Sequence, residues 1–269
     1  AGDRQGCRIE NGRVLMPDGF TAAYFAYAGQ GWPGLGLPEE FGGQGLPAPI
    51  LGAVTEIFAG ACHSLQMICG LVPGAARTIL RFGTPEQKRR WLPCLAGGEW
   101  LATMAITEAG AGSDLSNIRT RATPVGRGWR IDGEKVFISG GDQNLSASIL
   151  HLVLARTGRP EDGTRGLSLF LVPSHDHAGE RAPVRVLRLE EKMGLHASPT
   201  CQMAYDGAPA ELVGEAGGGL AAMFTMMNHA RLDVALQGVA HAARAYGIAA
   251  AYAAARIQGG SPIAAHAGV

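Results

Sequence analysis

The 269 residues can bury a sizeable core, as one large domain or two to three small ones. Lysine plus arginine and aspartate plus glutamate balance at 23 each, which leaves no electrostatic footprint for nucleic acid or an anionic membrane. Charged residues make up only 17% and glycines number 40, a composition that excludes disorder and suits close helix packing or a large oligomer interface.

The first hundred residues read as helical after a loop-rich start. Residues 31–47, GWPGLGLPEEFGGQGLP, are too dense in glycine and proline for a helix and form an ordered loop. From 49 to 82 apolar positions recur at helical spacing, with Pro73 marking a break. Glu56, His63, Gln66 and Pro73 interrupt that run, which does not read as a membrane span. Thr84-Pro85-Glu86-Gln87 is a helix start: Thr84 caps, Pro85 suits the first helical position, and Gln87 completes a capping box. That helix ends near Gly97-Gly98.

At Leu101 the period changes to that of strands. LATMAIT, NIRTRATPV, GWRIDGEKVFIS, ILHLVLAR, GLSLFLVP and TCQMAYDG are short β-type runs separated by turn residues, and Asp132-Gly133 is a plausible hairpin turn. After GEAGGG the pattern returns to a long, alanine-rich helix, apolar on most faces and expected to be buried between other helices. The organisation is a helical domain over 1–100, an all-β domain over 101–213 and the beginning of a second helical domain over 214–269.

Five cysteines (Cys7, Cys62, Cys69, Cys94 and Cys201) are odd in number and lack CxxC or Cys/His ligand spacing. They read as free buried thiols in a reducing cytoplasm, with no metal site. No signal-peptide pattern is present, and a cytoplasmic location is expected. The chain lacks an initiator methionine and stops at SPIAAHAGV without a closing element, which reads as a fragment of a longer polypeptide.

Two stretches carry chemistry. MAITEAGAGSDLSNIRTRA (104–122) holds a glycine-rich turn, Gly110-Ala111-Gly112-Ser113. A dinucleotide fingerprint needs a third glycine and a helix after it; here Leu115 takes the glycine's place and strand-like sequence follows, so no helix N-terminus is available for a pyrophosphate. The turn reads first as a plain strand connection and second as a cradle whose backbone amides, with the Thr107 and Ser113 hydroxyls, approach a cofactor. EKVFISGG (134–141) then places an aromatic, a β-branched residue and a hydroxyl at a strand end before two glycines. A flavin needs an aromatic wall, a donor near N5 and backbone amides near N1 and O2, although a lone Phe137 reads first as core.

Five segments, GWPGLGLPEEFGGQG, FGTPEQKRRWLPCLAGGEW, AITEAGAGSDLSNIRTRA, WRIDGEKVFISGG and EKMGLHASPTCQMAYDGA, resemble in order and spacing the flavin-dependent acyl-CoA dehydrogenases across nearly the whole chain. The resemblance implies an α+β multidomain fold: an N-terminal helical domain, a middle β-barrel-like domain and the start of a C-terminal helical bundle. It implies FAD as cofactor, an acyl-CoA thioester as substrate, α,β-dehydrogenation to the trans-2-enoyl-CoA, and an electron-transfer flavoprotein as acceptor. A homodimer or homotetramer in fatty acid β-oxidation is implied too. The segments from EKMGLHASPT to RIQGG look most like a larger subgroup with a C-terminal extension that includes 3-methylmercaptopropionyl-CoA dehydrogenase.

By the same resemblance, Ile106 and Thr107 contact the flavin pyrimidine ring. Gly112 and Ser113 lie against the FAD diphosphate, and Ser113 also against the thioester. Phe137, Ile138 and Ser139 match the Trp-Ile-Thr segment, with phenylalanine and serine standing in for tryptophan and threonine. Ser198 lies near the CoA moiety, Asn228 and Arg231 contact the pantetheine, and Arg256 and Gln258 reach a neighbour's FAD. The reaction needs a carboxylate to take the α-proton. One branch of the family carries it just before the helical arginine, where this chain has Ala230; Glu108 and Asp114 are structural in the family. The base is expected beyond Val269, so the isolated fragment is expected to be inactive. An acyl-CoA oxidase, another flavin enzyme of this fold, or a non-catalytic relative are the alternatives.

Overall fold

In the computed structural model, which describes residues 2–176 and 178–267, the change of period at residue 100 divides helices from strands. One turn of helix, α1 (Gly2–Gln5), leads into a small hairpin of β1 (Arg8–Glu10) and β2 (Arg13–Leu15). The sequence reading takes this start as loop. Its signal is Asn11-Gly12, both at positive φ (50° and 72°), the turn that matches strand twist.

Four longer helices follow: α2 (Phe20–Gly29), α3 (Ala48–Cys69), α4 (Leu71–Phe82) and α5 (Pro85–Ala96). The expected capping box is present, with Gln87 N donating to Thr84 Oγ1 (3.2 Å) and Thr84 N to Gln87 Oε1 (3.0 Å). The break expected at Pro73 falls instead at Gly70. Pro73 sits in the first turn of α4, where a missing N–H leaves no helical bond unmade. A kink at Cys62 (φ −154°, ψ 90°) divides α3, which among the described residues is the one helix long and apolar enough to cross a membrane by length and composition.

Seven strands form the next layer: β3 (Trp100–Ala105), β4 (Arg121–Val125), β5 (Gly128–Ser139), β6 (Ser148–Arg156), β7 (Leu167–Pro173), β8 (Val184–Leu189) and β9 (Thr200–Val213). β4–β5, β5–β9, β9–β7 and β7–β6 pair antiparallel, and β6 returns to β4 through Arg121 and Arg156, so five strands close into a ring. β3 adds to β6 in parallel and β8 lies along β9. Every residue of β6 is buried, because both of its faces are covered. Leu150, Leu152 and Leu154 face the helices with Leu167, Leu169 and Leu171, while Val153, Ala155, Phe170 and Val172 fill the ring. The two-residue period thus welds one sheet to two cores.

Asp132-Gly133 is not the expected hairpin turn; Gly126-Arg127 joins β4 to β5, and β5 runs through Gly133 with a shift of register. A Cβ at Gly133 would lie 2.7 Å from the Thr120 Cα, so the glycine permits a close backbone crossing rather than a reversal. The last helix, α6 (Gly219–Ala255), is about 55 Å long at 1.5 Å per residue. It packs on α3, α4 and β7, with Ala222, Met226, Gln237 and Ala240 buried. The expected burial between helices stops there; residues 241–250 are exposed. None of the five cysteines is in a disulfide, and only Cys69 and Cys201 are buried, against the expectation of five buried thiols.

His151, fully buried on β6, hydrogen-bonds Tyr205 Oη at 2.9 Å through Nδ1, while its Nε2 finds no partner among the described residues. Burial pulls its pKa down to about 4. The folded chain therefore stays unprotonated where the unfolded chain takes up a proton, and stability is lost as pH falls from 6.5 towards 4. On the order of 3 kcal/mol is expected over that window at 1.36 kcal/mol per pKa unit. Denaturant titrations at pH 7 and pH 4.5 should show it, and His151→Leu should flatten the slope; an unchanged slope refutes the assignment.

Candidate active site

The ends of three strands meet at one rim of the ring. β3 stops at Ala105, and the Thr107 carbonyl accepts from Val136 N of β5 at 2.8 Å. Thr103 Oγ1 donates to the Ser139 carbonyl (2.7 Å), and Ser139 pairs with Thr200 at the start of β9. Ile106, Thr107, Phe137, Ile138, Ser139 and Ser198 are therefore brought together.

Beyond Thr107 the chain closes a tight turn, with Glu108 and Ala111 exchanging backbone bonds (3.1 and 3.0 Å). Gly110, Gly112 and Ser113 are exposed, and a Cβ at either glycine would touch nothing within 4 Å. The turn offers bare main chain. Asp114 is held below its ordinary pKa, first by the Ser116 hydroxyl (2.6 Å) and then by Ser116 N (3.0 Å). Behind it, the buried Arg156 guanidinium donates to the carbonyls of Ser116 (2.6 Å), Ile118 (2.9 Å), Gly163 (3.0 Å) and Arg159 (3.1 Å).

Glu108 is locked. Its carboxylate accepts from Arg119 N (2.7 Å), Thr120 N (3.0 Å) and Lys135 Nζ (2.8 Å), and Lys135 Nζ also donates to the Ile106 carbonyl (2.8 Å). Burial pushes the Glu108 carboxyl up, but Lys135, Thr120 and Arg119 together hold it below its ordinary value. Burial pulls the Lys135 ammonium down to about 8 against the attraction of Glu108, so both are charged at neutral pH.

Phe137 carries the strongest local signal. Register slips between Lys135 and Ile138, and within that bulge Phe137 adopts φ 60° with its ring 62% exposed. A left-handed conformation costs a β-carbon residue roughly 1–2 kcal/mol. Here it turns an apolar ring outward, away from any core, and strain of this kind gathers at sites of function.

Ser198 is 1% exposed and its Oγ has no partner among the described residues. It borders a polar cleft of about 600 Å³ that includes Arg4, Lys192 and His196. Lys192 Nζ donates to the Ser198 carbonyl and, at 3.0 Å, to Thr200 Oγ1.

A second, apolar cavity of about 270 Å³ lies among α2, α3, α4 and α6, with Tyr27, Trp32, Phe58 and Leu65 in its wall. The β5 end abuts the same helices: a Cβ at Gly140 would come 3.5 Å from Ile68 Cγ2 and 3.8 Å from Leu71 Cδ1, at the α3–α4 junction. Its polar edge includes Gln66, Arg77, His229 and Asp233. Gln237 Oε1 can only accept, so His63 Nε2 (2.8 Å) donates to it, leaving His63 Nδ1 to accept from His241 Nε2 (2.7 Å). Gln237 Nε2 passes the direction on to Gln66 Oε1 and Asp233 (both 2.9 Å), and Gln66 Nε2 also donates to Asp233 (3.1 Å). The string ends on a pre-oriented carboxylate.

The remaining candidates lie elsewhere. Asn228 and Arg231 are on the exposed face of α6, where Arg231 Nη1 donates to Asn228 Oδ1 at 2.8 Å and its guanidinium sits 5.5 Å from the Phe224 ring centre. Arg256 and Gln258 are exposed at the far end of α6, in a hairpin of β10 (Ile257–Gln258) and β11 (Ser261–Pro262). Among the described residues, no hydrogen bond or ion pair joins these four to the rim. Lys135, Arg156, Gln66 and Asp233 escape the sequence reading; the charges of the first two inside β runs were the available clue.

Residues 16–99 match the family model "Acyl-CoA dehydrogenase, N-terminal domain", residues 103–208 "Acyl-CoA dehydrogenase, middle domain", and residues 217–269 "Acyl-CoA dehydrogenase, C-terminal domain". The 3-methylmercaptopropionyl-CoA dehydrogenase of Ruegeria pomeroyi is 45% identical over 263 residues, which are 96% of this chain and 45% of that protein. A broad-specificity linear acyl-CoA dehydrogenase of Mycobacterium tuberculosis is 39% identical over 258 residues, 91% of this chain and 42% of that protein. The chain thus spans less than half the length of these relatives. An acyl-CoA dehydrogenase of Bacillus anthracis, solved in complex with FAD, superposes with a TM-score of 0.79 at 30% identity, over 92% of this chain and 41% of that one. With helices, ring and helix in the family's order and all three family models matched in sequence, the chain belongs to the acyl-CoA dehydrogenase family.

Proposed function

We propose that the chain holds FAD across the rim and takes part in α,β-dehydrogenation of an acyl-CoA thioester to the trans-2-enoyl-CoA, with electrons passing to an electron-transfer flavoprotein. The single observation that carries this reading is Phe137, an exposed aromatic ring presented on strained backbone beside a bare glycine turn. These features fit a planar aromatic cofactor with a phosphate tail. Bound FAD supplies the acceptor for the hydride that leaves the substrate's β-carbon.

The chain's own residues divide the remaining work. Phe137 walls the flavin ring, Thr107 and Ser139 present polar atoms to its edge, and Gly112 and Ser113 face the diphosphate, while the buried Ile138 side chain anchors the strand beneath Phe137. Ser198, whose buried hydroxyl has no partner among the described residues, serves the CoA moiety at the wall of the polar cleft. The apolar cavity among α2, α3, α4 and α6 suits the acyl tail. Asn228 and Arg231, already paired, serve the pantetheine; the exposed Arg256 and Gln258 serve a neighbouring copy's FAD in a homodimer or homotetramer.

The carboxylates near the rim are not free to act as base. Glu108 accepts three donors, Asp114 is tied up with Ser116 and Asn117, and Ala230 cannot ionise. The α-proton falls to a carboxylate that these residues do not supply.

Titrating the purified full chain with FAD tests the reading. Quenching of flavin fluorescence to one equivalent is expected, with a visible spectrum that shifts on adding an acyl-CoA. A chain that binds no FAD at any concentration tried overturns it.

A further inference from the structure

We propose that Lys135 is a positioning residue: its ammonium fixes the flavin-contact loop at Thr107 against the strained strand that displays Phe137. The role rests on the FAD reading above. Lys135 is the one lysine of zero exposure among the described residues, one residue before the bulge in β5. A lysine this deep needs a reason, since burial of its charge is costly and a methionine would fill the same space.

Its two bonds supply the reason. One goes to the Ile106 carbonyl and one to Glu108 Oε1, both at 2.8 Å, so the ammonium grips the residues on either side of Thr107. Thr107 itself is held from the strand by Val136 N. Glu108 extends the grip to Arg119 N and Thr120 N, where the chain enters β4. Four segments therefore meet on one charge: the end of β3, the glycine turn, the entry to β4, and β5. Two residues on, Phe137 keeps φ 60° only while the flanking chain is over-determined. Lys135 and the Ile138–Cys201 pairing clamp that bulge from its two sides.

A purely structural lysine would affect stability alone. A positioning lysine must also change how flavin sits. The test compares Lys135→Met, the neutral isostere pair Lys135→Met/Glu108→Gln, and Phe170→Leu, a fully buried ring-interior change packed on Trp129 and used as a stability control. Melting temperature, FAD affinity, visible circular dichroism of bound FAD, and amide exchange of the FAD-free chain are measured for each.

Lys135→Met is expected to weaken FAD binding at least tenfold, alter the visible dichroism, and speed exchange at the amides of Arg119 and Thr120 without FAD. The double variant should regain melting temperature, because no unpaired carboxylate remains, yet keep the weak binding and altered dichroism. Phe170→Leu should melt lower while binding FAD within twofold of the parent. If the double variant binds FAD within twofold of the parent with unchanged dichroism, or if Lys135→Met follows Phe170→Leu in every readout, Lys135 does not position the site. A parent chain that binds no FAD overturns the functional reading and this inference together; a parent that binds while the variants behave like the control overturns the inference alone.

Discussion

Replacing Arg156 by methionine should destabilise the chain by roughly 3–5 kcal/mol, because buried carbonyls that the guanidinium satisfies lose their donor. The guanidinium donates to four carbonyls from two separate loops, and none of its hydrogen bonds goes to a carboxylate. Removal leaves Ser116, Ile118, Arg159 and Gly163 with carbonyl oxygens facing a methyl group, at about 1–3 kcal/mol for each oxygen that water cannot reach. Loop opening relieves that penalty, so the total should stay below the sum. The chain after Ser113 would then lose its floor, and the glycine turn its fixed path. Amide exchange and limited proteolysis should therefore localise the damage to residues 114–118 and 159–166, with the interior of β6 still protected. Arg156→Lys keeps the charge but not the planar fork, so it should recover less than half of the loss. A loss under 1 kcal/mol for Arg156→Met would show that the two loops hold themselves.

What sequence conveyed and what it hid follow from the range of the interactions. The Thr84–Gln87 capping box spans three residues, and the two-residue period of β6 is written in consecutive letters; both are read correctly. The glycine turn reads as lying between strands rather than before a long helix, and only a three-residue helical turn at Leu115–Asn117 separates it from β4. Asp132-Gly133 misleads because a dipeptide cannot report what crosses it; Thr120, brought in by the fold, makes Gly133 a close crossing within β5 and not a reversal. Lys135 and Arg156 were invisible for the same reason. The partners of Lys135 lie 27 and 29 residues away and two of the four of Arg156 lie 38 and 40 away, and within their own strands each looks like an ordinary polar interruption. Phe137 was found through its motif, but its positive φ appears in no local pattern. The polar string from His241 to Asp233 joins α6 to α3 across more than 160 residues, beyond any spacing rule.

Phe137→Gly should separate two properties that most mutations move together. In the FAD-free chain glycine relieves a left-handed strain of roughly 1–2 kcal/mol, and loses about 0.5–1 kcal/mol through the extra freedom of the unfolded chain. The 62% exposed ring contributes little packing to set against this. Stability without cofactor should thus match the parent or exceed it by up to about 1 kcal/mol, read by denaturant unfolding. FAD affinity should move the other way. A phenylalanine presents some 150–250 Å² for burial, so covering the exposed part with a ring removes roughly 100–150 Å² from water. At about 25 cal/mol per Å² that is near 3 kcal/mol, or on the order of a hundredfold in dissociation constant. Phe137→Ala should show the same loss of affinity with no gain in stability, since alanine keeps the strain. This pairing of opposite signs distinguishes a site from a core: a core phenylalanine removed to glycine would destabilise the chain by several kcal/mol with or without cofactor. If Phe137→Gly melts far below the parent, or binds FAD within threefold of it, the ring is not the flavin wall and the strain at the bulge serves the barrel alone.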